Sequence, residues 1–321
     1  MNAGEHVEPT LRRLSQWSLI ITVAVSASSL IGWGLGSAVI TGFKLSYIPI
    51  APITALCFLI VSASFLISLF NPSNLLRQIT AYISSFTILI ASILLISFFM
   101  GIIIEAEHLG FAEFYLKSPY RSGHMSPVTA IMFIFASSGI LLLCLSDHTN
   151  QLYKNVASFT GLFVSVVGLV MVLGYVYGTP LLYGGSIIPV SFPTAISFTF
   201  LGLGILLASG SSVPIFQSFT SSSVRSRLMR VFLPMTVAIV IISDAITITL
   251  FSKFNAALIS LTSSILTAIF ISVIISKSAK SIGSDLDNAN RERDDKAEAL
   301  RESEEQFRAL YDFSPDMYVS V

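Results

Sequence analysis

One acidic residue, Asp244, lies deep within an apolar stretch of the sequence, next to Ser243 and three residues before Thr247. Counted from Val231, where that stretch begins, a helix places Asp244 roughly 20 Å along its axis. An ionisable side chain at that depth in a membrane is costly, which indicates a role in binding a ligand or a signal. The alternative is a structural role, in which the two hydroxyl groups hydrogen-bond the carboxyl group. The sequence leaves both open.

A second group of polar side chains follows the third apolar stretch. It contains Glu105, Glu107 and His108, with Glu113 and His124 further along the chain. Carboxylates and imidazoles are suitable ligands for a divalent cation. Their spacing matches no metal motif, however, and a polar loop beside a membrane is the simpler interpretation. We therefore predict no metal site, and Glu105, Glu107, His108 and His124 are the residues that would hold a metal if one binds.

No catalytic constellation accompanies these residues. The sequence contains no Ser-His-Asp arrangement, no His-Glu-x-x-His motif and no glycine-rich phosphate loop, and it indicates no particular cofactor. Its two cysteines, Cys57 and Cys144, lie in apolar runs, so no disulfide framework is implied. We expect any catalysis by the parent protein to reside outside these residues.

The composition shows what kind of scaffold must position these side chains. Of 321 residues, 54% are hydrophobic and 11% are charged, and 18 basic residues balance 18 acidic ones. Soluble domains carry about 25% charged residues, so this chain has too few to cover a water-facing surface. A soluble enzyme, a disordered chain and a basic nucleic-acid-binding protein are excluded. A membrane protein that contacts lipid remains.

Eight apolar stretches are long enough to cross a bilayer as helices, which takes roughly 20 residues each. They lack the alternation of barrel strands, so we predict an all-α fold, a polytopic bundle of eight membrane helices. Lys and Arg are more frequent on one side, which predicts that both termini lie in the cytoplasm and that the chain spans the cell (inner) membrane. The predicted spans are 17–40, 49–70, 80–104, 126–145, 156–178, 192–211, 231–252 and 255–276.

Three of these spans begin with one short pattern, a proline followed by Thr-Ala and then by Phe. Proline suits the first turn of a helix, and small residues allow membrane helices to approach closely. We therefore predict three helix-hairpin repeats plus one further hairpin, and we assign the matched residues to capping and packing. They are Pro52, Thr54, Phe58, Pro127, Thr129, Phe133, Pro193, Thr194 and Phe198, with the glycines Gly32, Gly36, Gly174 and Gly178.

The sequence becomes highly charged after the last predicted span. Apolar residues recur there at alternating spacings of four and three, the pattern of a coiled-coil seam. We predict one continuous helix that leaves the membrane and pairs with a second copy, and a solvated single helix rich in charge pairs is the alternative. The apolar seam positions are Ile275, Ala279, Ile282, Leu286, Ala289, Leu300, Phe307 and Leu310.

The end of the chain carries a recognisable order of residues. Residues 304–316 read Glu-x-x-Phe-Arg-x-Leu-x-x-x-Ser-Pro-Asp, which resembles the opening of a PAS domain. The membrane part, with its repeated helix starts and the glycine- and tyrosine-rich segment 174–185, is similar to the multi-span N-terminal regions of prokaryotic PAS-linked sensor histidine kinases. The resemblance implies a chain truncated at the start of the PAS domain, in a parent protein that is a histidine kinase or, alternatively, a diguanylate cyclase.

These observations divide the chain into four parts. They are a cytoplasmic N-terminus (1–16), an eight-span membrane sensor domain (17–276), a coiled-coil signalling helix (277–311) and the start of an incomplete PAS domain (312–321). We expect a signal-sensing, dimerising input module of a two-component-type signalling protein. Its expected partners are membrane lipid, a second copy and the C-terminal PAS and output domains, without nucleic acid.

A transporter or channel-like protein with a regulatory cytoplasmic tail is the alternative function. Transporters bind their substrates and coupling ions near the middle of the membrane, through several polar groups and broken helices. In this sequence only Asp244 is ionisable at that depth. This count favours the sensor.

Overall fold

A computed structural model describes residues 4–44, 47–102, 104–111, 123–146, 150–177, 188–220, 293 and 295–308. The chain divides into two compact units, Met1–Thr220 and Ser221–Val321. Throughout the described ranges the regular secondary structure is helical, without a strand. The predicted all-α class is therefore confirmed for this part of the chain.

The first unit, Met1–Thr220, is built from α-helices. Five of them are long and apolar enough to cross a membrane, namely Glu8–Gly34, Pro52–Phe70, Asn74–Phe99, Pro127–Leu145 and Gln151–Val176. The protein is thus a helical membrane protein. The described helices are α1 Gly4–Gly34, α2 Ala38–Gly42, α3 Pro52–Phe70, α4 Asn74–Phe99, α5 Pro127–Leu145, α6 Gln151–Val176, α7 Phe192–Ala208 and α8 Pro214–Thr220, with a 3₁₀ turn at Glu105–His108.

The first six predicted spans each correspond to one of these helices, with shifted ends. α1, α4 and α6 begin 5 to 13 residues before the apolar stretches that predicted them. Hydropathy locates where a helix becomes apolar, whereas the helix itself begins at its capping residue in the polar interface. In α4 that residue is Ser73, whose side chain accepts a hydrogen bond from the Leu76 N–H. The predicted spans 231–252 and 255–276 lie outside the described residues.

α3, α5 and α7 occupy the middle of the unit. They contact one another, and each remaining long helix packs against two of them: α1 against α3 and α7, α4 against α3 and α5, and α6 against α5 and α7. The central helices meet through Phe58, Phe133 and Phe198, which are all fully buried. Their ring centroids lie 4.5, 4.6 and 5.0 Å apart, within the range of favourable aromatic pairs.

The surface of the unit is apolar, and its interior contains many hydroxyl groups. Large side chains such as Phe86, Phe99 and Phe159 are exposed. The buried polar side chains are mostly Ser and Thr, and several donate to a carbonyl of the preceding helical turn, as Ser26 does to Thr22. Lipid accounts for the apolar surface, because a monomeric soluble protein rarely exposes so large an apolar area.

The second unit is described at residue 293 and over a helix at residues 295–308, here called the tail helix. Every described side chain in it is exposed. Arg301 and Glu305 form an ion pair of 3.2 Å one helical turn apart. Such an exposed pair adds only a few tenths of a kcal/mol, about 0.3–0.5 in a helix.

Candidate functional site

The loop between α4 and α5 brings together three titratable side chains of those noted in the sequence. Glu107 and His108, on the 3₁₀ turn, are only 8% and 9% exposed. His124 follows a gap in the described residues and lies three positions before Pro127, the first residue of α5. We call Glu107, His108 and His124 the carboxylate–histidine cluster. Glu105, on the same turn, is exposed and lies outside it.

Hydrogen bonds connect the members of this cluster in a chain. His124 Nδ1 lies 3.3 Å from Glu107 Oε1, and His124 Nε2 lies 3.3 Å from His108 Nε2. The second carboxylate oxygen of Glu107 accepts the Met125 N–H at 2.6 Å. Because Glu107 holds the backbone just before α5, the cluster ties the 3₁₀ turn to the start of a central helix.

The backbone around the cluster is fitted to the histidine rings. Gly123 has a φ of +97°, in the left-handed region, and a Cβ at this position would overlap the ring of His108. Glycine is thus required at position 123 for two reasons, the left-handed backbone conformation and the space needed by the His108 ring. The Phe111 N–H donates to the His108 carbonyl at 2.9 Å, and the Phe111 ring lies 6.2 Å from the ring of Trp33 in α1.

The hydrogen bonds of the cluster restrict which imidazole nitrogens donate and which accept. Two imidazole nitrogens that face each other share one proton, because a hydrogen bond needs one donor and one acceptor. With the N–H at Nδ1 pointing to Glu107, His124 presents an acceptor at Nε2. Within the described ranges, no group of three or more His, Cys, Asp or Glu side chains is arranged to hold a metal ion.

The residues of the repeated helix starts lie at equivalent places in α3, α5 and α7. Pro52, Pro127 and Pro193 each occupy the first or second helical position. The threonines that follow, Thr54, Thr129 and Thr194, are all buried. Four residues after each threonine comes one of the three central phenylalanines, whose rings contact one another between the middle helices.

The glycines predicted for packing have different surroundings. A Cβ at Gly32 would lie 2.8 to 2.9 Å from side-chain atoms of Ile40 and Thr41, so α1 is close to α2 there. Gly36 has a φ of +64°, with open space beside it, and serves the turn after α1. Gly174 is buried near the end of α6. Gly178 falls outside the described residues.

α6 approaches α7 closely at two glycines of α6 that the repeat did not include. A Cβ on Gly161 would lie 2.7 Å from the backbone nitrogen of Leu206, and one on Gly168 would lie 2.6 Å from that of Thr199. Ser165, between them, donates to the Thr199 carbonyl at 3.0 Å. The seven-residue spacing of Gly161 and Gly168 was the signal available in the sequence, because it places both on one helix face.

Two arginines that sequence reasoning used only for topology also make specific contacts. Arg77 Nη2, on α4, donates to the carbonyls of Cys144 and Ser146 at 2.8 and 2.9 Å, where α5 ends. Arg12, on α1, donates to the Leu69 carbonyl near the end of α3. Each guanidinium satisfies carbonyls that the helix leaves free and opposes the negative end of the helix dipole.

The remaining predicted site residues lie outside the described part of the chain. They are Asp244, Ser243 and Thr247, and the seam residues Ile275, Ala279, Ile282, Leu286, Ala289 and Leu310. Leu300 and Phe307, at the other two seam positions, lie on the tail helix.

Comparison with known proteins finds no family, no curated protein and no solved structure that matches this chain.

Proposed function

We propose that this protein is a membrane-embedded sensory input module that dimerises through its tail helix and passes a stimulus from the membrane into the cytoplasm. The observation that carries the proposal is on the tail helix. Leu300 and Phe307, seven residues apart, are 64% and 74% exposed among charged, polar and alanine residues. Large apolar side chains at heptad spacing become covered when two such helices pair. Pairing thus gives a physical reason for their presence.

The helices of the membrane part are suited to changing between two packing arrangements in response to a stimulus. In this proposal the first six spans are three hairpin repeats, and residues 231–276 add a fourth hairpin that leads into the tail. The matched burial of Thr54, Thr129 and Thr194 supports the repeat. A stimulus needs to change the relative free energy of two helix packings by only a few kcal/mol to shift their populations.

The interior of the first unit favours a sensor over a transporter. Among its described residues, Glu107 and His108 are the buried side chains that carry titratable groups apart from cysteine and tyrosine, and the other buried polar side chains are Ser and Thr. A transporter needs polar groups that line a path through the middle of the membrane. The described helices contain no buried Asp, Glu, Lys, Arg or His within a candidate span.

The proposal includes a topology and a parent protein. Both termini face the cytoplasm of the cell (inner) membrane, and the residues after 311 begin a PAS domain. The output is that of a histidine kinase, with a diguanylate cyclase as the alternative. The order of residues 304–316 supports this assignment.

Cysteine cross-linking in membranes tests the pairing. In a background that carries Cys57→Ala and Cys144→Ala, single cysteines are introduced as Leu300→Cys or Phe307→Cys and oxidised. We expect covalent dimers from both variants. Glu298→Cys and Glu302→Cys are matched controls, because they lie about 160° around the helix from Leu300 and should cross-link poorly.

The outcome separates the two interpretations of the tail. Efficient cross-linking on the Leu300 face alone supports a parallel pair. Equal yields on both faces, or no dimer from any variant, would indicate a solvated single helix and would overturn the proposal.

A further inference from the structure

A cavity of about 360 Å³ lies between the start of α1 and the ends of α3 and α7, and its lining includes Glu8, Leu11, Arg12, Leu69, Leu207 and Gly210. Its volume is within the range of about 300–1,000 Å³ that small-molecule sites occupy. We propose that it binds the headgroup of one phosphatidylethanolamine molecule from the membrane, with Arg12 at the phosphate and Glu8 at the ammonium group. The inference concerns the first unit and holds whether or not the tail helix dimerises.

The two charged side chains of the cavity are held apart from each other. Glu8 and Arg12 are one helical turn apart on α1, a spacing at which opposite charges usually pair, yet they form no ion pair with each other. Arg12 instead donates from Nε, at 3.0 Å, and from Nη2 to the Leu69 carbonyl. The Glu8 carboxylate lies beside Gly210, where a Cβ would be 3.3 Å from Oε1. The cavity therefore presents a positive and a negative group to a ligand.

The guanidinium of Arg12 keeps hydrogen-bond donors for a phosphate group. It carries five N–H groups in a planar fork. The bonds to the Leu69 carbonyl use the N–H of Nε and one N–H of Nη2, which leaves the outer edge formed by Nη1 and Nη2. Such an edge binds a phosphate through two parallel hydrogen bonds. Because the Leu69 carbonyl already fixes the guanidinium, Arg12 loses little conformational entropy when the phosphate binds.

The Glu8 carboxylate favours ethanolamine over the headgroups of two other common phospholipids. A primary ammonium group carries a positive charge and three N–H donors, and both properties suit a carboxylate. The choline headgroup has no N–H to donate. The glycerol headgroup of phosphatidylglycerol brings the negative phosphate without a cation to offset Glu8. Of the three headgroups, ethanolamine is therefore the one that satisfies Glu8 and Arg12 together.

The cavity is placed where the bilayer has its headgroups. α1 and α3 are both long and apolar enough to cross a membrane, and the cavity lies where α3 ends, at Leu69. Trp17, five residues after Arg12 on α1, is exposed, and tryptophan is enriched at the membrane–water interface. Leu11, Leu69 and Leu207 give the cavity an apolar wall against which the glycerol and the first part of the acyl chains can pack. These features favour a membrane lipid over a water-soluble ligand.

Native mass spectrometry of the full chain tests the site. The chain is released from nanodiscs that contain equal amounts of phosphatidylethanolamine, phosphatidylcholine and phosphatidylglycerol. We expect one phosphatidylethanolamine per chain to be retained in preference to the other two lipids. Glu8→Gln should reduce this preference by about two- to fivefold, the effect of an exposed charge pair. Glu105→Gln is the matched control, because it makes the same exchange at an exposed position outside the cavity, and it should keep the preference.

The arginine is tested by its effect on all three lipids. Arg12→Gln should weaken the retention of each of them, because each contains a phosphate. Arg13→Gln is the matched control, since Arg13 is exposed and does not line the cavity. Equal retention by the two variants would contradict the role of Arg12.

A charge reversal at Glu8 distinguishes a specific site from a loss of structure. Glu8→Arg should turn the preference toward phosphatidylglycerol, which a misfolded variant would not do. Equal retention of the three lipids by the unmodified chain, an unchanged preference in Glu8→Arg, or a loss from Glu105→Gln as large as that from Glu8→Gln would overturn the proposal. So would displacement of the lipid by an equal concentration of glycerophosphoethanolamine, because a water-soluble ligand without acyl chains would then be the occupant.

Discussion

Replacing Gly161 with alanine tests the close packing of α6 against α7. The added Cβ would lie 2.7 Å from the Leu206 backbone nitrogen and 2.9 Å from the Gly202 carbonyl oxygen. Ordinary contact for a Cβ begins near 3.4 Å, so the helices must separate locally by about 0.7 Å. Both obstructing atoms belong to the backbone, and truncating a side chain on α7 cannot relieve the collision.

The expected cost follows from this displacement. A gap of about 0.5–1 Å forfeits a quarter to a half of the dispersion energy of each separated contact. Overpacking of this kind costs about 1–3 kcal/mol, and in lipid no hydrophobic driving force compensates for it. We therefore expect Gly161→Ala to lower the free energy of unfolding by about 1–3 kcal/mol.

Equilibrium unfolding in mixed detergent micelles, followed by circular dichroism, measures this loss. Gly34→Ala is the matched control, because a Cβ at the end of α1 would meet no atom within 4 Å. Alanine is a better helix former than glycine by up to about 1 kcal/mol, so the control should be neutral or slightly stabilised. If Gly161→Ala unfolds with the same free energy as Gly34→Ala, the proposed backbone contact between α6 and α7 is wrong.

Two further predictions use the same unfolding measurement, and a third uses the cross-linking assay in membranes. Arg77→Ala should lower the free energy of unfolding by about 1–3 kcal/mol, because two carbonyls at the end of α5 lose their donor, whereas Arg13→Ala, at an exposed position, should have little effect. Phe133→Ala should lower the free energy of unfolding by about 3–5 kcal/mol, because it leaves a cavity among the central rings. Phe99→Ala, at an exposed position, is its control, and an equal loss from both variants would contradict the central packing. Asp244→Asn should alter the cross-linking yield of Leu300→Cys without preventing membrane insertion, and an unchanged yield across pH and candidate stimuli would favour a structural Asp244.

The helical membrane class and the approximate helix positions could be predicted because both depend on local composition. Each described long helix covers an apolar stretch, as expected when every backbone polar group must be satisfied inside the lipid. The helix starts at Pro52, Pro127 and Pro193 were also predictable, since proline restricts its own backbone angle. Helix ends were less predictable, because capping residues such as Ser73 lie outside the apolar stretch.

The types of residue in the candidate site could be predicted from the sequence, but which of the individual residues come together could not. Glu105 and Glu107 have nearly the same sequence context, yet Glu105 is exposed and Glu107 is buried against His124. The difference depends on how the 3₁₀ turn packs against residues 123–125, which lie 15 or more positions further along the chain. The spacing of residues in the sequence does not reveal a contact between two such segments, and for this reason the pattern predicted a solvated loop.

The helical membrane class and the heptad pattern of the tail follow from the amino-acid sequence, since apolar length and residue spacing are properties of the chain alone. The three-dimensional packing was needed to show which small residues bring helices together, which carbonyls the arginines cap and which titratable groups meet. Those outcomes depend on distances between segments far apart in sequence. Arg77 and Cys144 are 67 residues apart, and their contact exists only because α4 packs against α5.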